Sequence, residues 1–228
     1  MTADIDAIRS DIDDAGYSVI GSVLGKRQCG EFIRSYDNSG LFRKKIVMEA
    51  HAYGAGEYQY FRYPLPGQIQ ALRAEWYREL APIANEWNER LGIAARYPAT
   101  HEEYLAICHE AGQERPTPLL LKYKAGDFNR LHQDIYGEHI FPMQVAILLS
   151  DPGLDFIGGE FLISEQRPRM QTYAEVVPLG QGDAVVFPVS YRPVRGKRGF
   201  SRANMRHGVS RIRSGHRMTL GIILHDAA

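Results

Sequence analysis

The sequence predicts a mainly β protein with helices in its N-terminal part. Eight short apolar runs follow one another after residue 115, and turn residues such as Gly126, Gly153 and Gly215 separate them. Before residue 115, apolar residues recur at spacings of three and four, which is the period of an amphipathic helix. Many short strands between turn signals are typical of a β sandwich or barrel.

The N-terminal part contains four predicted helices. Ile5, Ile8 and Ile12 form the apolar stripe of the first, and the third is the longest, with six apolar residues at helical spacing. Thr100 and Glu103 have the spacing of a capping box, which predicts the start of the fourth. The predicted helices span 4–15, 26–36, 67–91 and 102–110, with a short strand at 17–20 and strand-like sequence over 44–63.

The C-terminal part contains the eight predicted strands, at 119–123, 130–134, 143–149, 160–164, 174–179, 184–189, 207–212 and 217–224. No linker, internal repeat or low-complexity segment interrupts the sequence. We therefore expect one domain over 1–228, in which 1–115 provides helical support with a few strands and 116–228 forms the core.

Composition excludes several classes of protein. Apolar residues make up 44% and charged residues 24% of the chain, as in globular proteins and unlike disordered ones. Lys and Arg number 27, and Asp and Glu also number 27, which excludes coating of nucleic acid by bulk charge but not a local basic groove. Cys29 and Cys108 are too few for a disulfide framework and are predicted to be buried thiols. The sequence shows neither a secretory signal nor a membrane-length apolar run, which predicts a cytoplasmic protein without membrane partners.

The strongest chemical pattern is His132-Gln133-Asp134. Residues two apart in a strand project to the same face, so His132 and Asp134 can point at one atom. A second histidine from another strand would complete a two-histidine, one-carboxylate triad, which suits non-haem Fe(II). His207 is the preferred candidate because it begins a later predicted strand, and His51 is the residual rival.

Arg217 and Thr219 share one face of the final predicted strand, and Arg217 lies ten residues after His207. An arginine on a mostly apolar face needs an anionic partner, because an unpaired buried charge is very costly. A small dicarboxylate would satisfy it through paired hydrogen bonds. The open alternative is a protein carboxylate at the rim of the barrel.

Together these residues resemble the signature of the Fe(II)/2-oxoglutarate-dependent oxygenases, whose core is a double-stranded β-helix, or jelly roll. The segments LKYKAGDF at 121–128 and FIGGEF at 156–161 are similar to the prolyl-hydroxylase-like branch. Four longer stretches resemble a bacterial subgroup that is associated with oxidative repair of damaged nucleic acid. They are HQDIYGEHIFPMQVAILLSDPG, GGEFLISEQRPRMQ, VPLGQGDAVVFPV and RHGVSRIRSGHRMTLGIILHDA. The resemblance covers nearly the whole chain.

The resemblance implies a jelly-roll core buttressed by helices, and a dioxygenase that uses Fe(II), the cosubstrate 2-oxoglutarate and O2. The residues concerned are His132, Asp134 and His207 for Fe(II), and Arg217, Tyr123 and Thr219 for 2-oxoglutarate. The enzyme would hydroxylate a C–H bond while 2-oxoglutarate becomes succinate and CO2. If that carbon is an N-methyl group, the product loses formaldehyde and the outcome is demethylation.

The distribution of charge indicates where a substrate could bind. Residues 184–225 contain nine Lys and Arg and no Asp or Glu, and a basic segment within them leads directly into His207. A basic loop with Tyr191 and Phe200 in it could follow phosphates and stack bases. Alternatively, these arginines pair with the acidic first part of the chain and brace the barrel. The residues assigned to the substrate are Tyr58, Tyr60, Arg195, Arg198 and Arg202.

Several functions remain open from the sequence. Damaged nucleic acid and a protein or peptide, hydroxylated as by a prolyl hydroxylase, are the leading substrates, and a small molecule is the third. A metal-binding, cupin-like barrel without oxygenase activity is the non-enzymatic alternative. Binding of 2-oxoglutarate would separate that barrel from the oxygenases.

Overall fold

The computed structural model describes residues 4–228, which form four α-helices and fourteen strands. The helices are α1 (Ile5–Asp14), α2 (Lys26–Ser35), α3 (Gly67–Arg90) and α4 (His101–Glu110), with short 3-10 helices at Ser39–Leu41 and Met48–His51. The strands are β1 (Ser18–Ile20), β2 (Phe42–Val47), β3 (Gly54–Ala55), β4 (Glu57–Phe61), β5 (Leu119–Lys124), β6 (Phe128–His132), β7 (Met143–Leu148), β8 (Phe156–Gly158), β9 (Phe161–Gln166), β10 (Tyr173–Val177), β11 (Ala184–Pro188), β12 (Tyr191–Gly196), β13 (Gly199–Val209) and β14 (Ile212–Ile222). The predicted order, with the helices first and most strands after them, is confirmed.

The strands form two sheets. The larger has the order β1-β11-β7-β14-β5-β4-β2, with β8 also paired to β14. The smaller has the order β10-β9-β13-β6-β3, with β12 also paired to β13. Residues from both sheets line a single cavity, so the sheets face each other. This is the predicted double-stranded β-helix, mainly β and buttressed by N-terminal helices.

The chain crosses from one sheet to the other between β13 and β14. β13 ends at Val209 in the smaller sheet, and β14 begins at Ile212 in the larger. The prediction of one strand over 207–212 is therefore wrong, because this segment contains the crossing itself. As a consequence, His207 and Arg217 lie on facing sheets rather than side by side in one hairpin.

The helices cover the larger sheet. α3 packs against β7 and β14, and its predicted apolar stripe is buried, with Ile69, Trp76 and Leu80 fully enclosed. Thr100 caps α4 together with Glu103, as the capping-box spacing predicts. Both cysteines are buried free thiols, as predicted. Within residues 4–228, no helix has both the length and the apolarity needed to cross a membrane.

Strands from the N-terminal part belong to the same two sheets as the later strands. β1 pairs with β11 and β4 with β5 in the larger sheet, while β3 pairs with β6 in the smaller. The stretch over 44–63 thus contributes to three strands, which are separated by the 3-10 helix at Met48–His51 and by Gly56. These pairings place Tyr58, on β4, beside the strand that carries Leu121.

The basic segment before His207 was expected to be a loop, and this prediction is wrong. Residues 191–209 form the antiparallel hairpin β12–β13, in which Arg195 pairs with Phe200. From Arg202 to His207 of its long strand, buried residues such as Ala203 and Met205 alternate with exposed ones. This alternation is the mark of a strand with one buried face, and the many arginines of the exposed face obscured it.

Candidate active site

Three candidate metal ligands meet between the sheets. His132 is the last residue of β6, and the predicted strand over 130–134 is wrong at its end, because Asp134 lies two residues beyond β6. His207 lies directly across from His132 on β13. The Nε2 atoms of His132 and His207 lie 3.6 Å and 3.3 Å from the carboxylate oxygens of Asp134. One ligand atom from each residue falls within 4.8 Å of the others. Two imidazoles and one carboxylate in this arrangement can hold a divalent metal and leave coordination positions open.

An irregularity in β6 orients His132. The pairing of β13 with β6 shifts register between His207 and Val209, so that Asn129 as well as His132 faces the cavity. The carbonyl of Arg130, within the irregularity, accepts a hydrogen bond of 2.7 Å from Nδ1 of His132. Because Nδ1 carries the proton, Nε2 presents its lone pair to the metal position.

Both carboxylate oxygens of Asp134 accept hydrogen bonds from side chains that the sequence analysis missed. The Tyr136 hydroxyl donates to Oδ1 over 2.6 Å, and the Gln144 amide donates to Oδ2 over 2.8 Å. Burial raises the pKa of Asp134, but the hydrogen bond from His207 and the charges that His207 and His132 carry when protonated outweigh it and hold this pKa well below the usual range. A signal for Gln144 existed, because it is the single polar residue of the fully buried strand β7.

Aromatic rings hold His207 in place. Its imidazole stacks on Phe161 with a centroid distance of 6.0 Å and contacts Phe187 at 4.6 Å. Burial, and then the charge of His132, lower the pKa of His207. This direction favours the neutral ring, which is the form that binds a metal.

The guanidinium of Arg217 is buried without a counterion. The residue is 2% exposed, and its NH1 donates to the Thr219 hydroxyl over 2.6 Å, while Nε has no partner. Among residues 4–228, no carboxylate oxygen lies within 4.0 Å of its nitrogens. Glu160, at the rim, accepts a hydrogen bond from Ser210 instead. Burial lowers the pKa of Arg217 to about 10, and an enclosed cation of this kind needs an anionic ligand.

One cavity of about 290 Å³ joins these groups. The three candidate metal ligands, Arg217 and Thr219 all line it, and so does Tyr123, whose hydroxyl lies 3.4 Å from the Asn129 amide. Tyr123 is completely buried, and its ring lies 5.9 Å from the guanidinium carbon of Arg217. The six residues that the sequence analysis assigned to metal and cosubstrate therefore share one enclosed space.

The predicted substrate residues do not all lie at this cavity. Tyr58 lines it, whereas Tyr60 is buried behind Tyr58, in edge-to-face contact at 5.3 Å. The predicted arginines of the β12–β13 hairpin are exposed and lie outside the cavity lining. His51, the rival ligand, is exposed and stacks on Tyr53 rather than joining the triad.

The fold and the site define the class of protein. Two histidines and an aspartate converge near an unpaired guanidinium inside a double-stranded β-helix, which is the architecture of the Fe(II)/2-oxoglutarate-dependent oxygenases. A solved oxidoreductase of the 2OG-Fe(II) oxygenase family from Burkholderia pseudomallei has a TM-score of 0.56 at 13% identity, with 100% of this chain and 94% of that chain covered. For a prolyl-4-hydroxylase from Pseudomonas putida the TM-score is 0.53 at 14% identity, with 95% and 96% covered.

The sequence itself shows the family. Residues 56–227 match the Oxygenase-NA family, described as "Oxygenase, catalysing oxidative methylation of damaged DNA". An uncharacterized protein of Mycobacterium tuberculosis, found in two strains, is 51% identical over 168 residues, or 74% of this chain and 72% of that protein. The chain belongs to this oxygenase family, and the predicted enzyme class is confirmed.

Proposed function

We propose that this oxygenase uses Fe(II), 2-oxoglutarate and O2 to oxidise a damaged base in DNA. His132, Asp134 and His207 hold the iron in this proposal, and Arg217 holds the distal carboxylate of the keto acid. The observation that carries the proposal is the uncompensated charge of Arg217 in the cavity of the triad. A protein that only bound a metal would have no reason to keep an unpaired guanidinium in its core.

The side chains present suit both groups. Two neutral nitrogens and one carboxylate oxygen are the donor set of non-haem Fe(II) sites, which leave positions open for other ligands. The planar guanidinium of Arg217 matches a carboxylate, and the Thr219 hydroxyl beside it can donate to the same anion. When bound, the iron and the keto acid supply the oxidising chemistry, in which O2 converts a C–H bond to C–OH and the keto acid to succinate and CO2.

The protein's own contribution is to position groups and exclude water. Tyr136 and Gln144 hold Asp134 from both sides, so the carboxylate cannot rotate freely. The rings of Phe161 and Phe187 form an apolar wall beside His207. Apolar walls keep bulk water away from a reactive centre and so suppress side reactions.

Membership of the family supports DNA as the substrate. Oxidation of an N-methyl carbon gives a hydroxymethyl group, which leaves as formaldehyde, so this chemistry removes a methyl group from a base. A base inside a duplex must leave the stack to reach such a cavity. Tyr53, half-exposed, and Tyr58 both line the cavity, and they offer ring faces on which an extruded base can stack.

Cosubstrate binding is tested first. Anaerobic addition of Fe(II) and 2-oxoglutarate should produce a weak visible charge-transfer band. The band should be lost in His132→Ala, and the dissociation constant for 2-oxoglutarate should rise at least tenfold in Arg217→Met. Absence of any 2-oxoglutarate binding by the unaltered protein would favour the cupin-like alternative.

The substrate is tested by 2-oxoglutarate turnover, with succinate and formaldehyde as readouts. Oligonucleotides that carry N-methylated bases should stimulate turnover and release formaldehyde. Proline-containing peptides serve as the competing substrate. Stimulation by the peptides alone would overturn the assignment to DNA while leaving the cofactor assignment intact.

A further inference from the structure

We infer that the basic hairpin β12–β13 is an arm that binds the phosphate backbone of duplex DNA several base pairs away from the base that is oxidised. This inference rests on the proposed function, because it assigns to the same substrate a second contact outside the cavity. The arm is defined here as residues 191–206.

The arm carries positive charge that the protein does not neutralise. Its exposed cations are Arg195, Lys197, Arg198, Arg202 and Arg206. In the part of the chain that the structure describes, none of them has a carboxylate oxygen within 4.0 Å. No acidic residue occurs between positions 184 and 225. An exposed surface of this kind attracts polyanions, and DNA is a polyanion whose phosphates are regularly spaced.

One arginine of the same segment behaves differently. Arg192 is 2% exposed, pairs with Glu165 over 2.6 Å and donates to the carbonyl of Asp13 at the end of α1 over 2.6 Å. The bracing role considered from the sequence therefore belongs to Arg192. The exposed cations are left without such a role, so bracing does not account for them.

The exposed side of the arm mixes cations with aromatic rings. In the hairpin, Arg195 pairs with Phe200 and Tyr191 with Asn204, so each pair shares one face. Phe200 is 40% exposed, and the guanidinium carbon of Arg202 lies 4.5 Å from the centre of the Tyr191 ring. Stacking on Tyr191 restricts Arg202, so less freedom is lost when the arm binds a phosphate.

The arm is attached directly to the metal-binding segment. Gln133, between two candidate ligands, donates to the carbonyls of Ser190 and Met205 over 2.7 Å and 2.9 Å. These two carbonyls lie at the base of the two hairpin strands. The residue between His132 and Asp134 thus fixes the arm relative to the triad.

The geometry sets the distance between the two contacts. Arg202 lies five residues before His207 on β13 and the turn begins eight residues before it, which at about 3.3 Å per residue is about 17 Å and 26 Å along the strand. With about 3.4 Å of rise per base pair, the arm would reach phosphates about five to eight base pairs from the target base. A short duplex would not extend that far.

The test compares DNA binding by two variants that each lose three positive charges. The arm variant is Arg195→Gln, Arg198→Gln and Arg202→Gln. The control variant is Lys26→Gln, Arg27→Gln and Arg78→Gln, all exposed on α2 and α3. Fluorescence anisotropy would give the dissociation constant for a 21-base-pair duplex and for a 7-base-pair duplex, each with one central N-methylated base, from 50 to 300 mM salt.

The arm variant should bind the long duplex at least tenfold more weakly, and its slope of log K against log salt should be smaller by about 2.7, or 0.9 for each lost contact. The loss should be much smaller for the short duplex, and the control variant should match the unaltered protein. The proposal would be overturned if the arm variant and the control variant bound the long duplex equally well. It would also be overturned if the arm variant lost the same affinity for both duplexes.

Two further measurements keep the result interpretable. Arg195→Gln with Arg198→Gln leaves the Arg202–Tyr191 contact intact, and it should retain the thermal midpoint and still lose affinity for the long duplex. Turnover of the same duplexes separates the two proposals. DNA binding through the arm without oxidation of the duplex would support the arm and contradict the proposed substrate. Oxidation that is the same in the arm variant and in the unaltered protein would support the proposed substrate and contradict the arm.

Discussion

Replacing Arg217 by methionine should stabilise the protein in the absence of ligand and weaken its response to 2-oxoglutarate. The guanidinium is 2% exposed and has one hydrogen-bond partner, the Thr219 hydroxyl. Methionine has a similar length and no charge, so it can occupy much of the same space between Tyr123 and Phe156. The substitution therefore removes the charge with little change in packing.

The expected gain in stability follows from the pKa of Arg217. Burial lowers the pKa of Arg217 to about 10 from an ordinary value of 12.5, which at about 1.4 kcal/mol per pKa unit means that the charged form costs the folded state about 3 kcal/mol. Because the folded pKa is the lower one, this cost is fully present at every pH below about 10. Leaving the Thr219 hydroxyl without its donor costs about 1 kcal/mol. The net gain is about 2 kcal/mol, or about 5 °C in the midpoint of a chain of this size.

Thermal unfolding with Mn(II) in place of iron, without and with 2-oxoglutarate, measures both effects. At a ligand concentration about 1,000 times the dissociation constant of the unaltered protein, 2-oxoglutarate should stabilise that protein by about 4 kcal/mol and the variant, with a dissociation constant at least tenfold higher, by no more than about 2.7 kcal/mol. Arg213→Met, an exposed position on the same strand, should stay within about 0.5 kcal/mol of the unaltered protein in both conditions. A variant that is destabilised by more than about 1 kcal/mol and keeps the full ligand response would contradict both the cost of the buried charge and the role of Arg217 in binding.

Three further perturbations have defined outcomes. Tyr136→Phe removes a hydrogen bond to Asp134, so Mn(II) affinity measured by calorimetry should fall on the order of tenfold. Gly208→Ala places a Cβ atom 2.7 Å from a main-chain oxygen of β6, so it should weaken metal binding. Gly67→Ala is the control, because a Cβ atom at Gly67 meets nothing within 4 Å, and it should leave metal binding unchanged. Burial lowers the pKa of His101 to about 4. His101 therefore binds a proton more readily in the unfolded state, so the free energy of unfolding should fall as the pH drops from about 6.5 towards 4. The expected loss is about 2 kcal/mol between pH 7 and 5. His101→Gln should remove that part of the loss in urea unfolding experiments.

Each of these has a result that would count against it. Unchanged metal affinity in Tyr136→Phe would mean that Gln144 alone holds the carboxylate. Normal metal binding in Gly208→Ala would show that β6 can shift without moving His132. An acid-induced loss of stability that is the same with and without His101 would assign the titration to other groups, such as the fully buried His225.

Six residues at the site are predicted from the sequence, and for two pairs of them the spacing along the chain is sufficient. His132 and Asp134 are two residues apart, and Arg217 and Thr219 share one strand face, so the pattern alone indicated their chemistry. Tyr136 and Gln144 were missed because their roles depend on where Asp134 points. The exposed hairpin was taken for a loop because its arginines hid the alternation of buried residues beneath them.

Local periodicity and chemistry depend on near neighbours, so the sequence alone predicts the helical stripes, most of the strand-forming segments and the residue types for a metal and an anion. The fold in three dimensions shows that His207 rather than His51 lies with His132 and Asp134, and that no carboxylate among residues 4–228 pairs with Arg217. The physical reason is the crossing between β13 and β14. It places the triad and the guanidinium on facing sheets, and contact between sheets depends on residues far apart in the chain, which no local pattern encodes.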